Sequence, residues 1–176
     1  MYLYYRNASL ETAAAELVLL VAGFQTQLLN LEFVSNELYL CLEDDGLYVY
    51  SAQFKPLNLK HFYSDFIAKR KPAIKREILI QAINLRATAD NLIYGLDTTA
   101  GLGRDAILMS LAGYRITMLE NNPYLAVVLN YLCIEFAVQL PFLEVVYSDN
   151  LTYLHESNKV YNLIYLDPMF NDGKQE

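Results

Sequence analysis

Residues 92–120 read LIYGLDTTAGLGRDAILMSLAGYRITMLE, and this stretch decides the fold. An apolar run at 92–96 predicts a strand that ends in Asp97. The turn Thr98-Thr99-Ala100-Gly101-Leu102-Gly103 follows. Residues 104–111 then read as a helix closed by Gly113, where a left-handed cap favours glycine. A second apolar run, 116–119, ends in Glu120. Strand, glycine turn, helix, strand and acid form the opening unit of a nucleotide-binding α/β fold. Gly101 and Gly103 let the backbone turn tightly and approach a ligand, and the helix opening at Arg104 aims its free N–H groups at it. Glu120, 19 residues after Gly101, has the offset of an acid that accepts from ribose hydroxyls. Gly101-x-Gly103-x-x-Ala106 also fits the loose dinucleotide pattern, which leaves a nicotinamide cofactor open as an alternative.

Downstream, Asn121-Asn122-Pro123 predicts a helix with Asn122 as its cap, running to about Val138. Residues 142–147 predict a third strand, which ends at Ser148-Asp149-Asn150. Asp149 and Asn150 stand either where the adenine edge of a nucleoside would lie or at the cap of the next helix; one residue can serve both. Residues 162–166 are apolar almost throughout, as in a strand covered on both faces, and end in Asp167-Pro168-Met169-Phe170. At the carboxyl edge of such a sheet the Asp167 carboxylate and the Pro168 carbonyl offer two fixed acceptors, and Phe170 offers a flat ring. That set suits the exocyclic amine of a flipped-out base. The four strands are expected in spatial order three-two-one-four. The fourth would then be an exposed apolar edge, so self-association through residues 161–168 is expected.

Upstream, residues 2–5 predict a strand. Leu17, Leu20, Val21, Phe24 and Leu28 predict one amphipathic helix over 11–28. Residues 37–53 predict a hairpin around Asp44-Asp45-Gly46. A connector at 54–76 carries Pro56 and Pro72, and 77–86 predicts a helix leading into the core. The division expected is an α+β module with its basic connector at 1–76 and an α/β domain at 77–176.

The chain has 176 residues, is 55% apolar and carries a net charge of −7. The charge is unevenly spread. Residues 55–86 hold eight of the thirteen basic residues and two acids, which leaves that segment at +6 and the remainder at −13. Lys69, Arg70, Lys71, Lys75 and Arg76 form a basic stripe that is the footprint expected for a polyanion such as RNA. Cys41 and Cys133 match no metal-ligand spacing and read as free thiols of a reducing compartment. No apolar run has the length of a membrane span, so a cytoplasmic protein without a membrane partner is expected.

Asp97–Ala106, Met118-Leu-Glu120-x-Asn-Pro123 and Tyr165-Leu-Asp-Pro-Met-Phe170 together resemble the bacterial small-subunit ribosomal RNA guanine-N2 methyltransferase J family. The resemblance runs from about residue 38 to 175. It implies a Rossmann-like α/β methyltransferase core, here its first four strands without the C-terminal ones, behind a small α+β N-terminal module. It also implies S-adenosylmethionine as cofactor, small-subunit ribosomal RNA as partner and no metal. Carried over by position, Asp97, Gly101 and Gly103 belong to the cofactor turn, and Arg104 and Asp105 lie at the cofactor's methionine end. Glu120 and Asn121 hold its ribose, Asp149 and Asn150 face its adenine, and Asp167 stands between cofactor and target base. The family continues for several tens of residues beyond the Asp-Pro-Met-Phe motif, and it has a glycine-rich run where this chain reads Pro72-Ala-Ile-Lys-Arg. Two rivals remain at this level: a nicotinamide-dependent oxidoreductase and an RNA-binding remnant without turnover.

Overall fold

The computed structural model describes residues 1–29, 37–88 and 90–167. Strands β1 (Tyr2–Tyr5), β2 (Gln25–Leu28), β3 (Tyr39–Glu43), β4 (Gly46–Ser51) and β5 (Phe54–Asn58) form one sheet in the order β2-β1-β3-β4-β5. β1 is parallel to both β2 and β3, while β3, β4 and β5 form an antiparallel meander. Strand alternation sorts its residues. Leu3, Leu40, Leu42 and Leu47 are buried against the helices α1 (Glu11–Val18) and α2 (Leu59–Arg70). The opposite face carries linked tyrosine rings, Tyr2–Tyr4–Tyr39–Tyr50–Tyr48, with Tyr39 and Tyr50 stacked at 5.0 Å. Cys41 lies between Tyr4 and Tyr48 in this register and is fully buried, which pushes its thiol up to about 11. Five of the chain's fifteen tyrosines thus have a packing role.

The second sheet contains β6 (Tyr94–Asp97), β7 (Arg115–Glu120), β8 (Leu143–Tyr147) and β9 (Leu163–Tyr165), all parallel, in the order β8-β7-β6-β9. This is the three-two-one-four arrangement expected from the sequence. Helices α4 (Arg104–Leu111) and α5 (Pro123–Glu135) bury Ile107, Met109, Val127 and Leu129 against Ile116 and Met118. Each such side chain contributes about 1.5–3 kcal/mol relative to exposure. The end of α4 is a Schellman motif: Gly113 N donates to Ser110 O at 2.9 Å and Tyr114 N to Met109 O at 3.1 Å. Asn122 caps α5, accepting from the N–H groups of Tyr124 and Leu125. α6 (Asn150–Glu156) follows β8.

Several boundaries differ from expectation. The helix predicted over 11–28 ends at Val18. Gly23, at φ +80°, turns the chain, and Gln25–Leu28 becomes a strand because β1 offers it a parallel partner. Val21 and Phe24 are still buried, but Leu28 is exposed, so the helical spacing was coincidental there. The connector predicted at 54–76 is ordered throughout as β5, α2 and a 3-10 segment, Lys71–Arg76, that begins around Pro72. The helix predicted at 77–86 is confined to α3 (Ile78–Ile83), ended by Asn84 in a left-handed conformation. α5 stops at Glu135 rather than Val138. The buried residues of both sheets form one continuous core. Among the described residues, Asn130 Nδ2 donates to Leu17 O at 2.9 Å and to Glu16 O at 3.3 Å, the Tyr63 hydroxyl donates to Leu102 O at 3.0 Å, and Lys60 pairs with Glu135 at 2.6 Å, all between the two parts.

Candidate active site

The carboxyl ends of β6, β7 and β9 bring the predicted residues of the glycine turn together. Asp97 ends β6, is 1% exposed, and accepts the Thr99 N–H at 3.0 Å. Gly101 (φ +53°) and Gly103 (φ +73°) both adopt left-handed conformations, but for different ends. A Cβ on Gly103 would come within 2.9 Å of Leu129 Cδ2 and 3.0 Å of Leu132 Cδ2, so this glycine lets α4 and α5 pack closely. A Cβ on Gly101 would meet only Thr99 O, at 3.9 Å. The space beside Gly101 is open, as a turn that admits a ligand to its backbone requires. Gly103 caps α4 with no side-chain hydrogen bond, which leaves the first N–H groups of that helix available to an anion.

Glu120, at the end of β7, braces the turn from the side. Its Oε2 accepts from Gly101 N at 3.1 Å and its Oε1 from Asn122 N at 2.8 Å. An ionised carboxylate has about four acceptor positions, so roughly two remain for hydroxyl groups. Asn121 is exposed beside it. Asp149 is the cap of α6, accepting the Thr152 N–H at 2.9 Å; hydrogen bonding by the Thr152 side chain, and then by its N–H, holds the Asp149 carboxyl below the usual range. Asn150 opens that helix.

The last strand is tied to the first. Asn162 accepts from Tyr94 N at 2.9 Å and donates its own N–H to Tyr94 O at 2.8 Å, which sets the register of β9. Thr98 donates to Tyr165 O through both its N–H and its hydroxyl, each at 3.0 Å, and Asp167 N donates to Thr99 Oγ1 at 2.8 Å. Asp167 is thereby held beside the glycine turn with its side chain exposed. Tyr165 also donates its hydroxyl to Asp105 Oδ2 at 3.0 Å; burial, reinforced by that carboxylate, pushes its phenol well above the ordinary range. Thr98, Thr99 and Tyr165 are the residues that motif reading missed as supports. A hydroxyl pair directly after a strand-ending acid is the signal that could have found them. Pro168 and Phe170, the other two predicted catalytic residues, lie outside the described residues.

The edge is electronegative. Burial raises the Asp97 carboxyl from 3.8 to about 6, opposed by the Thr99 N–H and reinforced by Asp105, Glu120 and Asp167. Four carboxylates around an open turn favour a cationic ligand group, while the free N–H groups of α4 and the Arg104 guanidinium favour an anionic one. A zwitterionic amino acid joined to a sulfonium nucleoside fits this donor set; a polyphosphate does not.

Of the basic stripe, Lys69, Lys71, Lys75 and Arg76 are exposed, and among the described residues they form no ion pair. Arg70 differs, being hydrogen-bonded to both oxygens of Glu77 at 3.0 and 3.1 Å. A groove of about 420 Å3 lies at the opposite, amino-terminal edge of the sheet, lined by Tyr94, Arg115, Phe142 and Lys159 among others. It contains none of the predicted site residues.

Comparison with known proteins agrees with this geometry. Residues 25–176 match the family described as "Putative SAM-dependent methyltransferase". A ribosomal RNA small subunit methyltransferase J of Francisella tularensis subsp. novicida is 31% identical over 154 residues, which cover 84% of this chain and 62% of that protein. The protein of the same name from Shewanella loihica is 30% identical, over 80% of this chain and 58% of its own length. The chain thus spans about three-fifths of the curated relatives it matches. A solved SAM-dependent methyltransferase from Neisseria gonorrhoeae superposes with a TM-score of 0.65 over 97% of this chain and 70% of that one, at 18% identity, and so shares the fold. The resemblance read from residues 97–106, 118–123 and 165–170 is borne out, and the chain belongs to this family of S-adenosylmethionine-dependent methyltransferases.

Proposed function

We propose that this chain carries the cofactor-binding part of an enzyme that transfers a methyl group from S-adenosylmethionine to the N2 amine of a guanine in small-subunit ribosomal RNA, acting in the cytoplasm. The observation that carries the reading is the convergence of Asp97, the open Gly101 turn, Glu120 and Asp167 on one sheet edge. The identity of the base and of the RNA rests on the resemblance and on the names of the relatives.

In this reading Gly101 and the α4 N-terminus, with Arg104, receive the amino-acid end of the cofactor. Glu120 and Asn121 hold its ribose, and Asp149 and Asn150 border the adenine. When bound, S-adenosylmethionine supplies an electrophilic methyl group on a sulfonium whose departure leaves a neutral thioether. The guanine amine is a weak nucleophile because its lone pair is delocalised into the ring. Asp167 and the Pro168 carbonyl accept its two N–H bonds, favouring a pyramidal nitrogen with an available lone pair, and Phe170 stacks the base. The nitrogen gains the methyl carbon and loses one proton to Asp167 or water. Catalysis is therefore positioning and preorganised electrostatics. The exposed Lys69, Lys71, Lys75 and Arg76 supply phosphate contacts, and Arg70 contributes only by releasing Glu77.

The test is Asp167→Ala in this chain, assayed beside the unaltered protein. Labelled-methyl transfer to small subunits lacking the modification should be lost while S-adenosylhomocysteine affinity stays within about tenfold. Transfer at the wild-type rate would overturn the assignment.

A further inference from the structure

Arg104 occupies an unusual place for a cation, the first residue of α4, where the helix dipole disfavours positive charge. Among the described residues it forms no ion pair. Its guanidinium instead lies over the ring of Phe66, 5.1 Å from the centroid. Phe66 comes from α2, outside the nucleotide-binding sheet, and the same ring lies 5.6 Å from the guanidinium of Arg70. Arg70 is in turn fixed by its fork on Glu77. One helical turn before Phe66, the buried Tyr63 holds the glycine turn itself through Leu102 O. Helix α2 therefore grips the cofactor turn twice, once by the backbone and once by the side chain that opens α4.

We infer that Phe66 is a positioning residue for Arg104, holding its guanidinium beside the uncapped N–H groups of α4 so that together they receive the carboxylate of the cofactor's amino-acid end. This rests on the S-adenosylmethionine reading of the site. The physical reason is preorganisation. A free arginine samples many rotamers, and ordering it during binding weakens binding. A stacked guanidinium, already paired with a ring face and kept from collapsing onto Asp105, is ordered beforehand. Asp105 accepts the Tyr165 hydroxyl, and among the described residues it forms no ion pair with Arg104.

The experiment is calorimetry with two ligands. S-adenosylhomocysteine carries the amino-acid end; 5′-methylthioadenosine shares its nucleoside and thioether but lacks that end. Phe66→Leu keeps apolar bulk on α2 and removes the ring. It should weaken S-adenosylhomocysteine about two- to fivefold, the ordinary worth of a cation–ring contact at a partly exposed site. Methylthioadenosine affinity should be unchanged, which also shows that the variant is folded. Phe66→Tyr should restore the loss. In an Arg104→Gln background, Phe66→Leu should have no further effect. Equal weakening of both ligands, or the same loss with and without Arg104, would assign Phe66 a merely structural role and overturn the inference. If the unaltered protein binds neither ligand, the cofactor reading falls together with this one. If it binds both and Phe66 and Arg104 prove uncoupled, only this inference falls.

Discussion

Replacing Asp97 with asparagine should stabilise the protein at neutral pH and impair it as a cofactor-binding site. Burial lifts the Asp97 carboxyl from 3.8 to about 6. At about 1.36 kcal/mol for each tenfold change in ionisation, keeping it charged above pH 6 costs the fold up to about 3 kcal/mol. The direction follows from linkage. The folded state binds this proton more tightly than the unfolded state, so the favourable contribution is fully present below about pH 4 and is lost as pH rises through about 6. The asparagine side chain would keep the oxygen that accepts the Thr99 N–H, would not ionise, and would place its amide among Asp105, Glu120 and Asp167. Urea denaturation at several pH values should therefore show Asp97→Asn more stable by roughly 2–3 kcal/mol at pH 7.5, with the gain shrinking toward zero near pH 4. Calorimetry on the same protein should show weaker S-adenosylmethionine binding, since one of the four carboxylates that make this sheet edge electronegative has been neutralised. The loss should be smaller for the uncharged thioether of S-adenosylhomocysteine. A variant less stable at pH 7.5, or a gain equal at both ends of the pH range, would refute the reasoning.

The two turn glycines should separate stability from binding. Gly103→Ala meets both a left-handed backbone and the Leu129 and Leu132 methyls, so it should cost about 2–4 kcal/mol in denaturant titration. Gly101→Ala meets only the backbone penalty of about 1–2 kcal/mol, yet should abolish measurable S-adenosylhomocysteine binding by filling the open space; the reverse ranking would show that the turn has been misread. On β9, Ile164 is 59% and Leu166 64% exposed, and among the described residues the strand pairs only with β6. Light scattering on this chain should show concentration-dependent self-association that Ile164→Lys reduces, and a monomer at all concentrations would count against an adhesive edge.

The glycine turn, its acid and the strand-ending Asp167 were legible because they are local: a turn that admits a ligand needs residue types at short, fixed spacings, whatever surrounds it. The sheet order was legible for a related reason. Parallel strands joined by helices have few allowed connections, and a glycine turn after the first strand, with an acid ending the second, points to one of them. The hairpin at 37–53 was equally local.

What the sequence alone could not decide was set by tertiary partners. Gln25–Leu28 continues a helical pattern by spacing and is a strand because β1 lies open beside it. Residues 54–76 read as a linker because of Pro56 and Pro72, yet they are β5, α2 and a 3-10 segment, pinned to the glycine turn and the start of α4 by Tyr63 and Phe66. Arg70 belongs to a basic stripe by composition, and only folding commits it to Glu77. Asp97 is an ordinary aspartate by type; its raised carboxyl arises from burial under the turn. Local spacing determines where a ligand can approach the backbone. Tertiary packing determines which charges stand near that approach and how tightly they are held, because desolvation and pairing depend on neighbours that only folding brings together.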